Sequence, residues 1–197
     1  MGQREDNKAH TRRNLADAAV RLFTAHGFDK VTMAQVAAGA EVSRRTAFRY
    51  FETKEDLVVH YPAAWMGVFD QSIKANQGRP VGARIREASH GVADFIESDP
   101  DAVRQLFVLA FSHPSLAARY TASSRLWTQH LAAEIGSDLD AGPQSVAHVT
   151  MLAAAVMGII GSVCETWATS DQPMKPLLDT GLDLLAEPFA AIERGDF

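Results

Sequence analysis

Apolar residues along this chain recur at intervals of three and four, the spacing of helices that bury one face. The first such stretch is residues 11–26, and its inward positions are Leu15, Ala18, Ala19, Leu22 and Phe23. Gly27 ends it as a left-handed cap residue. Residues 1–10 are polar and mixed in charge, which predicts a flexible arm. Strand-like alternation is absent, so the sequence predicts an all-α protein.

Proline and glycine divide the later part of the chain into about six further helices. The predicted helices cover residues 54–76, 81–97, 100–112, 116–135, a segment that begins at Pro143, and residues 175–193. Pro62 removes a backbone donor inside the first of these, so we expect a kink there. That kink is either a hinge or a simple bend around the core. Pro188 should interrupt the last helix, and residues 136–142 read as a flexible loop.

The longest apolar run, Val149 to Cys164, contains no charged residue. A membrane span needs about 18 or more such residues, and this run also includes Gly158 and Gly161, so no membrane partner is predicted. The run instead indicates a helix buried on all sides, with one face on its own domain and the other on a second subunit.

The stretch from Val31 to Leu57 predicts two short helices around a tight turn, followed by the start of a third. Its helix starts are marked by the hydroxyl cap residues Thr32, Ser43 and Thr53. Two of these caps have a partner three positions later, Gln35 for Thr32 and Asp56 for Thr53. The run Gly39 to Val42 breaks the first helix, and Arg44, Arg45 and Arg49 lie on the second. This is the helix-turn-helix pattern, in which the second helix enters the DNA major groove.

The letters TMAQVAAGAEVSRRTAFRYFETKEDL in this stretch resemble the N-terminal DNA-binding signature of the TetR family of transcriptional regulators, over roughly residues 11–60. The resemblance implies a three-helix DNA-binding domain at residues 1–53. It further implies a larger helical ligand-binding and dimerisation domain at residues 54–197. The last two long helices of each subunit would form a homodimer interface.

The resemblance also implies which residues contact DNA, and these are Thr32, Ser43, Arg44, Arg45, Thr46, Phe48, Arg49, Tyr50 and Lys54. Lys54 matches the phosphate-binding lysine of the family, and Tyr50 stands where the family often has His or Tyr. Phe48 departs from the pattern, because the family usually has a tyrosine there that contacts phosphate. Without that hydroxyl, Phe48 is left to pack against sugar or to brace Arg45.

Charge is divided unevenly along the chain, whose net charge is −5. Residues 1–60 carry ten Lys/Arg and eight Asp/Glu, whereas the remainder carries nine against sixteen. Only the N-terminal part therefore suits a nucleic-acid face. The single cysteine, Cys164, excludes disulfide frameworks and paired-cysteine metal sites and fits a reducing cytoplasm. Residues 1–10 lack the apolar segment of a signal peptide.

Aromatic and methionine residues on the inward faces of the larger domain predict an apolar pocket for a small-molecule effector. The residues that would line it are Trp65, Phe69, Phe107, Phe111, Trp127 and Met151, although any single one is more often part of the core. His90, His113, His130 and His148 lack metal-ligand spacing, so no metal and no cofactor is predicted. An alternative role for one or two of these histidines is that of a polar group that orients a ligand.

Two functions from different classes fit these patterns. The first is a cytoplasmic, ligand-responsive regulator, most often a repressor in the resembling family, that binds a palindromic operator in double-stranded DNA as a homodimer. The second is a helical enzyme or ligand carrier in which the helix-turn-helix is only structural. Neither a Gly-rich phosphate loop, nor a Gly-x-Ser-x-Gly elbow, nor a Cys/His dyad is present. We therefore predict no catalytic residues and no enzymatic activity.

Overall fold

A computed structural model describes residues 3–58, 60–136 and 143–194 of the chain. Across these residues it contains eleven helices and no strand, which confirms the predicted all-α class. The helices are α1 (Gln3–His26), α2 (Met33–Gly39), α3 (Arg44–Tyr50), α4 (Lys54–Val58), α5 (His60–Ala75), α6 (Val81–Glu97), α7 (Pro100–Ser112), α8 (Pro114–Gly136), α9 (Pro143–Ala168), α10 (Met174–Asp183) and α11 (Ala186–Arg194).

The helices form two compact units. The first takes in the described residues up to Ala63 together with Asp101–Tyr120, and the second takes in Ala64–Pro100 and the described residues from Thr121 onward. In the first unit α4 packs on α1 and buries Leu57 completely, so α4 shares the core of the helix-turn-helix. The domain boundary expected between residues 53 and 54 stays a prediction.

The core of the first unit confirms the predicted inward face of α1. Apolar side chains from α1, α2, α3 and α4 are buried there, among them Leu15, Ala19, Phe23, Val36, Ala47 and Leu57. The predicted flexible arm is wrong from Gln3 to His10, because these residues extend α1. The segment has no Gly or Pro beyond Gly2 and consists largely of good helix formers. The Thr11 hydroxyl also donates to the Asn7 carbonyl at 2.8 Å.

The second unit has its own core, to which α5, α6, α8, α9, α10 and α11 contribute. Its buried residues include Phe69, Ile73, Ile85, Leu131, Ile135, Leu152, Val156, Leu182 and Phe189. Two glycines allow helices to approach closely. A Cβ atom at Gly82 would lie 3.0 Å from the Phe189 ring, and one at Gly181 would clash with Cγ2 of Ile159. The packing of α10 on α9 therefore depends on Gly181.

Prolines set several helix boundaries as predicted. The structure begins α7 at Pro100 and gives α6 the predicted span of residues 81–97. The last predicted helix is interrupted at Leu184 and Leu185, which separate α10 from α11. Leu184 lies four residues before Pro188, and a proline ring crowds the carbonyl at that spacing. The interruption predicted from Pro188 is confirmed.

Two predictions fall partly outside the described residues. The predicted helix over 54–76 is divided into α4 and α5, and Val59 between them is outside the described part of the chain. α4 ends at Val58, the residue to which Pro62 has no N–H to donate. The kink itself also involves the Pro62 side chain, which is outside that part, and it stays a prediction. The loop predicted over 136–142 lies outside it from residue 137 onward.

Helix α9 buries one face and exposes another in the single chain, so its predicted burial on all sides depends on a second subunit. Val149, Val156 and Trp167 are buried on one face, whereas Val146 is 56% exposed and Met151 is 60% exposed. By length and composition alone, Val146–Ala168 could cross a membrane, but core helices of soluble proteins meet the same criterion. A second subunit over the exposed face stays a prediction.

Candidate nucleic-acid interface

The first helix of the motif, α2, starts at a capping box. The Thr32 hydroxyl accepts from the backbone N–H of Gln35 at 3.3 Å, and the Gln35 side-chain oxygen accepts from the Thr32 N–H at 2.9 Å. The backbone N–H groups of Thr32 and Gln35 lie at the start of the helix, where such donors have no intrahelical partner. The predicted cap is confirmed.

The turn between α2 and α3 depends on a residue that the sequence did not single out. Glu41 adopts the left-handed conformation with φ 56°, a conformation that costs free energy for a residue with a Cβ atom. The Val42 N–H donates to Ala37 O at 2.9 Å and the Glu41 N–H to Ala38 O at 3.1 Å, which closes α2 as a Schellman motif. Gly39 lies instead inside α2, where a Cβ atom would contact α1.

The second helix, α3, has one buried and one solvent-facing side. Ser43 caps it, since its hydroxyl accepts from the Thr46 N–H at 3.0 Å and bonds the Thr46 hydroxyl at 2.8 Å. Ala47 is fully buried and holds the helix to the core of the first unit. The solvent-facing surface of α3 exposes Arg44, Arg45, Phe48 and Arg49. This face is cationic and accessible, as an element that enters a groove must be.

Aromatic rings order several of these cations. The Arg44 guanidinium carbon lies 5.4 Å from the centre of the Phe48 ring, a contact that the sequence did not suggest. Tyr50 is half-buried, and its ring centre lies 5.1 Å from the guanidinium carbon of Arg49 and 6.0 Å from that of Arg12. Cation–π contacts of this kind contribute about 0.5–1 kcal/mol at exposed sites and restrict the rotamers of long side chains.

Lys54 has an internal contact that the sequence did not reveal. Its ammonium donates to the carbonyl of Phe28 at 2.8 Å and lies 4.2 Å from the centre of the Phe28 ring. Lys54 thereby ties the start of α4 to the loop between α1 and α2. The capping box predicted for Thr53 and Asp56 is confirmed. The Thr53 N–H donates to the Asp56 carboxylate at 2.9 Å, and the Asp56 N–H donates to the Thr53 hydroxyl at 3.3 Å.

The corner between α7 and α8 contacts the same loop. The rings of His113 and Phe28 pack with their centroids 4.7 Å apart, and Nε2 of His113 lies 3.2 Å from the Asp29 carboxylate. Arg119 forms an ion pair with Asp56 at 3.1 Å. These partners are more than 60 residues apart in the chain, and no local pattern announces them. The loop between α1 and α2 and the start of α4 are therefore held by residues of one distant segment, the corner between α7 and α8.

Family comparisons agree with this geometry. The family described as "Bacterial regulatory proteins, tetR family" matches residues 15–61, and the MftR C-terminal domain family matches residues 79–190. The chain belongs to the TetR family. This TetR-family regulator is 30% identical over 166 residues to the mycofactocin biosynthesis transcriptional regulator MftR of Mycobacterium tuberculosis, with 79% of this chain and 80% of that protein covered.

Further relatives share part of the sequence or the fold. The regulator TcmR of Streptomyces glaucescens is 32% identical over 90 residues, which is 46% of this chain and 38% of that protein. FadR of Thermus thermophilus has a TM-score of 0.60 at 21% identity, covering 88% of this chain and 92% of that chain. A TetR-family structure from Syntrophomonas wolfei has a TM-score of 0.71 at 14% identity, and the match covers 93% of this chain and 96% of that chain.

The six residues predicted to line an effector pocket are divided between the units of this TetR-family regulator. In the first unit, Phe107 and Phe111 stack with centroids 5.8 Å apart, and both contact the Tyr120 ring. In the second, Phe69 and Trp127 meet edge to face at 5.9 Å. Trp65 is buried and belongs to the second unit as well.

Met151, the sixth of these residues, is 60% exposed on α9. The interpretation that it faces inward is wrong for the single chain, because the apolar side of α9 is wider than the core it covers. Its role, and the roles of the five aromatic residues, stay predictions. The described residues contain no group of His, Cys, Asp or Glu that could hold a metal ion.

Charged pairs of the second unit join α6 to α10. Arg86 binds Asp179 and Asp183, and His90 lies 2.9 Å from Asp179. Partial desolvation acts to raise the pKa of Asp179, but the hydrogen bond from Arg86 and the neighbouring His90 outweigh it and hold the pKa below its ordinary value. A second histidine, His130 on α8, bonds Asp70 on α5.

Proposed function

We propose that this TetR-family regulator is a cytoplasmic repressor that binds a palindromic operator as a homodimer and leaves it when a small, mostly apolar effector binds. The observation that carries the proposal is the exposed surface of α3, which presents Arg44, Arg45 and Arg49 to solvent while Ala47 is buried. A cationic face on the second helix of a helix-turn-helix suits the major groove of double-stranded DNA.

Reading of bases and holding of phosphates should involve different ends of this surface. Arg44 and Arg45 lie in the first turn of α3, the end that reaches base edges in this motif. An arginine there can pair bidentately with guanine, which is worth about 1–3 kcal/mol of discrimination. Tyr50 and Lys54 lie at the other end, and their phosphate contacts would fix the register without reading sequence.

The test of this division uses a duplex selected by the protein from a random pool, together with a shuffled version of that duplex. Arg45→Ala should weaken binding to the selected duplex more than to the shuffled one. Lys54→Met should weaken both about equally and reduce the salt slope by about one phosphate contact. Affinities measured across a salt series decide the matter. A specificity ratio that Arg45→Ala leaves unchanged would contradict the assigned base-reading role.

Dimerisation is proposed from the exposed apolar face of α9. Val146 and Met151 leave large apolar surfaces in water in the single chain, and such surfaces mark interfaces when they are contiguous. A Cβ atom at Gly158 would meet nothing within 4 Å. Gly158→Leu should therefore leave the protomer folded and overfill only the contact with the partner. Sedimentation should show monomers for the variant and dimers for the wild type at micromolar concentration.

A wild-type protein that sediments as a monomer would refute the dimer. It would also remove the basis for a palindromic operator, because two half-sites require two recognition helices at a fixed separation.

The effector is proposed to be small and largely apolar. Two structural neighbours are complexes with ligands that have an apolar part, namely lauroyl-CoA, whose acyl chain is apolar, with FadR of Thermus thermophilus, and triclosan with SmeT. In this chain Phe69 and Trp127 adjoin the core of the second unit, and His130 with Asp70 supplies a polar group on the same two helices, α5 and α8. Thermal-shift screening with apolar and aromatic compounds should find ligands whose stabilisation Trp127→Ala reduces. Ligands unaffected by that change would place the site elsewhere.

A further inference from the structure

Phe48 is the one aromatic side chain on the exposed face of α3. It is 41% exposed, and the core contact of this helix is made by Ala47, which is completely buried. Phe48 contributes instead to the surface on which Arg44, Arg45 and Arg49 lie. An apolar ring at the centre of a cationic surface calls for a partner that is both apolar and close to negative charge.

The ring of Phe48 lies one helical turn beyond Arg44 on the same side of α3. The Arg44 guanidinium carbon is 5.4 Å from the ring centre, so the ring supports one face of the guanidinium. Contact with an aromatic face preorganises the planar fork of arginine, which loses less rotamer freedom when it pairs with guanine. Phe48 thus restricts where Arg44 can place its donors.

The same geometry determines what Phe48 itself can touch. An α-helix rises about 5.4 Å per turn, so a group one turn beyond a guanine-reading arginine comes opposite a neighbouring base pair. The only apolar group that base pairs present in the major groove is the C5-methyl of thymine. A phenyl ring has no hydroxyl with which to bind phosphate, and its burial against a methyl group removes apolar surface from water.

We propose that Phe48 determines sequence specificity by packing on the C5-methyl group of a thymine next to the guanine that Arg44 reads. This inference rests on the proposed function, since it requires that α3 enters the major groove. It assigns Phe48 a contact with a base and makes Arg44 and Phe48 a unit that reads two adjacent base pairs.

The test removes one methyl group at a time from DNA. A duplex selected from a random pool is resynthesised with each thymine replaced singly by deoxyuridine, which differs only by the absent C5-methyl. Wild-type protein should lose about fourfold in affinity at one thymine of each half-site, the factor expected for one buried methyl group. Phe48→Ala should bind thymine and uridine versions of that position equally well. Phe48→Tyr keeps the ring and should keep the uridine penalty.

The outcomes are decisive in either direction. A wild-type scan without any uridine penalty overturns the inference, as does a penalty that persists unchanged in Phe48→Ala. If Phe48→Ala fails to fold, as judged by circular dichroism, Phe48→Ser replaces it, because serine also removes the apolar contact with the methyl group. A protein that selects no duplex from the pool refutes the proposed function itself. A selected duplex without a uridine penalty refutes only the role of Phe48.

Discussion

The helix starts of the recognition region and the α6–α10 contact of the second unit are both stabilised by polar side chains, but over different sequence separations. In the recognition region the partners are three residues apart, as in Thr32 with Gln35 and Ser43 with Thr46. In the second unit Arg86 binds Asp179, 93 residues further along the chain. The first kind of contact is encoded locally, whereas the second exists only when two helices have already packed.

The two regions should therefore respond differently to mutation. A lost cap exposes one backbone donor and costs about 0.5–2 kcal/mol, and neighbouring structure is unchanged. The packing of α10 on α9 instead depends on close approach of two backbones at Gly181 and Ile159. A small change there has to be absorbed by a whole interface, because protein interiors are close-packed.

The largest effect is expected from Gly181→Ala. The added Cβ would clash with Cγ2 of Ile159, a branched side chain with little rotamer freedom. Overpacking of this kind costs about 1–3 kcal/mol, and urea denaturation should show a loss near the upper end. Gly67 on α5 provides the matched control, because a Cβ atom there meets nothing within 4 Å. Gly67→Ala should stabilise by about 0.5–1 kcal/mol through helix propensity, and equal effects would contradict the packing argument.

Lys54→Met tests whether Lys54 stabilises the free protein. Loss of the charged hydrogen bond to Phe28 O should lower the free energy of unfolding by about 1.5 kcal/mol without DNA present. Arg45→Met removes the same charge from an exposed site on α3 and should change stability by less than about 0.5 kcal/mol. If both variants have the same free energy of unfolding as the wild type, the contact of Lys54 with the α1–α2 loop does not stabilise the protein.

Ser43→Ala should cost about 1 kcal/mol, because the N–H of Thr46 loses its acceptor. Ser43→Asn keeps an oxygen at the cap and should restore most of the stability. Ser43→Asp should be equally stable but should bind DNA more weakly, since it adds negative charge beside Arg44. Chemical denaturation and duplex affinity measured on the three variants separate capping from DNA binding, and a stable Ser43→Ala would refute the cap.

The smallest effect concerns pH. The pKa of Asp179 is lowered from its ordinary value of 3.8, so its ion pair adds stability above that value, and this stability is lost as pH falls through the lowered pKa. The Asp179 side chain is 40% exposed, so solvent screening limits the gain to a few tenths of a kcal/mol. The stability difference between wild type and Arg86→Met should be present at pH 6 and shrink below pH 4. In an Asp179→Asn background the difference should be smaller, because only the ion pair of Arg86 with Asp183 remains.

The recognition region could be predicted closely from sequence. The cap residues Thr32, Ser43 and Thr53 are followed at fixed intervals by their partners, and the bounds of α2 and α3 agree with the pattern to within one residue. The left-handed residue was missed, because glutamate at position 41 gives no sign of positive φ while Gly39 lies two positions away. The local pattern determined the helices, but the exact turn depended on which carbonyls the next N–H groups could reach.

What the sequence by itself determined is the all-α class, the helix starts of the recognition region, the cationic character of α3 and the membership of the TetR family. The tertiary structure decided which partners the same residues find. It pairs Lys54 with Phe28, His113 with Asp29 and Arg86 with Asp179. It also assigns Phe107 and Phe111 to the first unit, whereas Phe69 and Trp127 belong to the second. Hydrogen bonds across three residues follow from the backbone alone, whereas contacts across 25 or more residues depend on how helices pack, which periodicity does not specify.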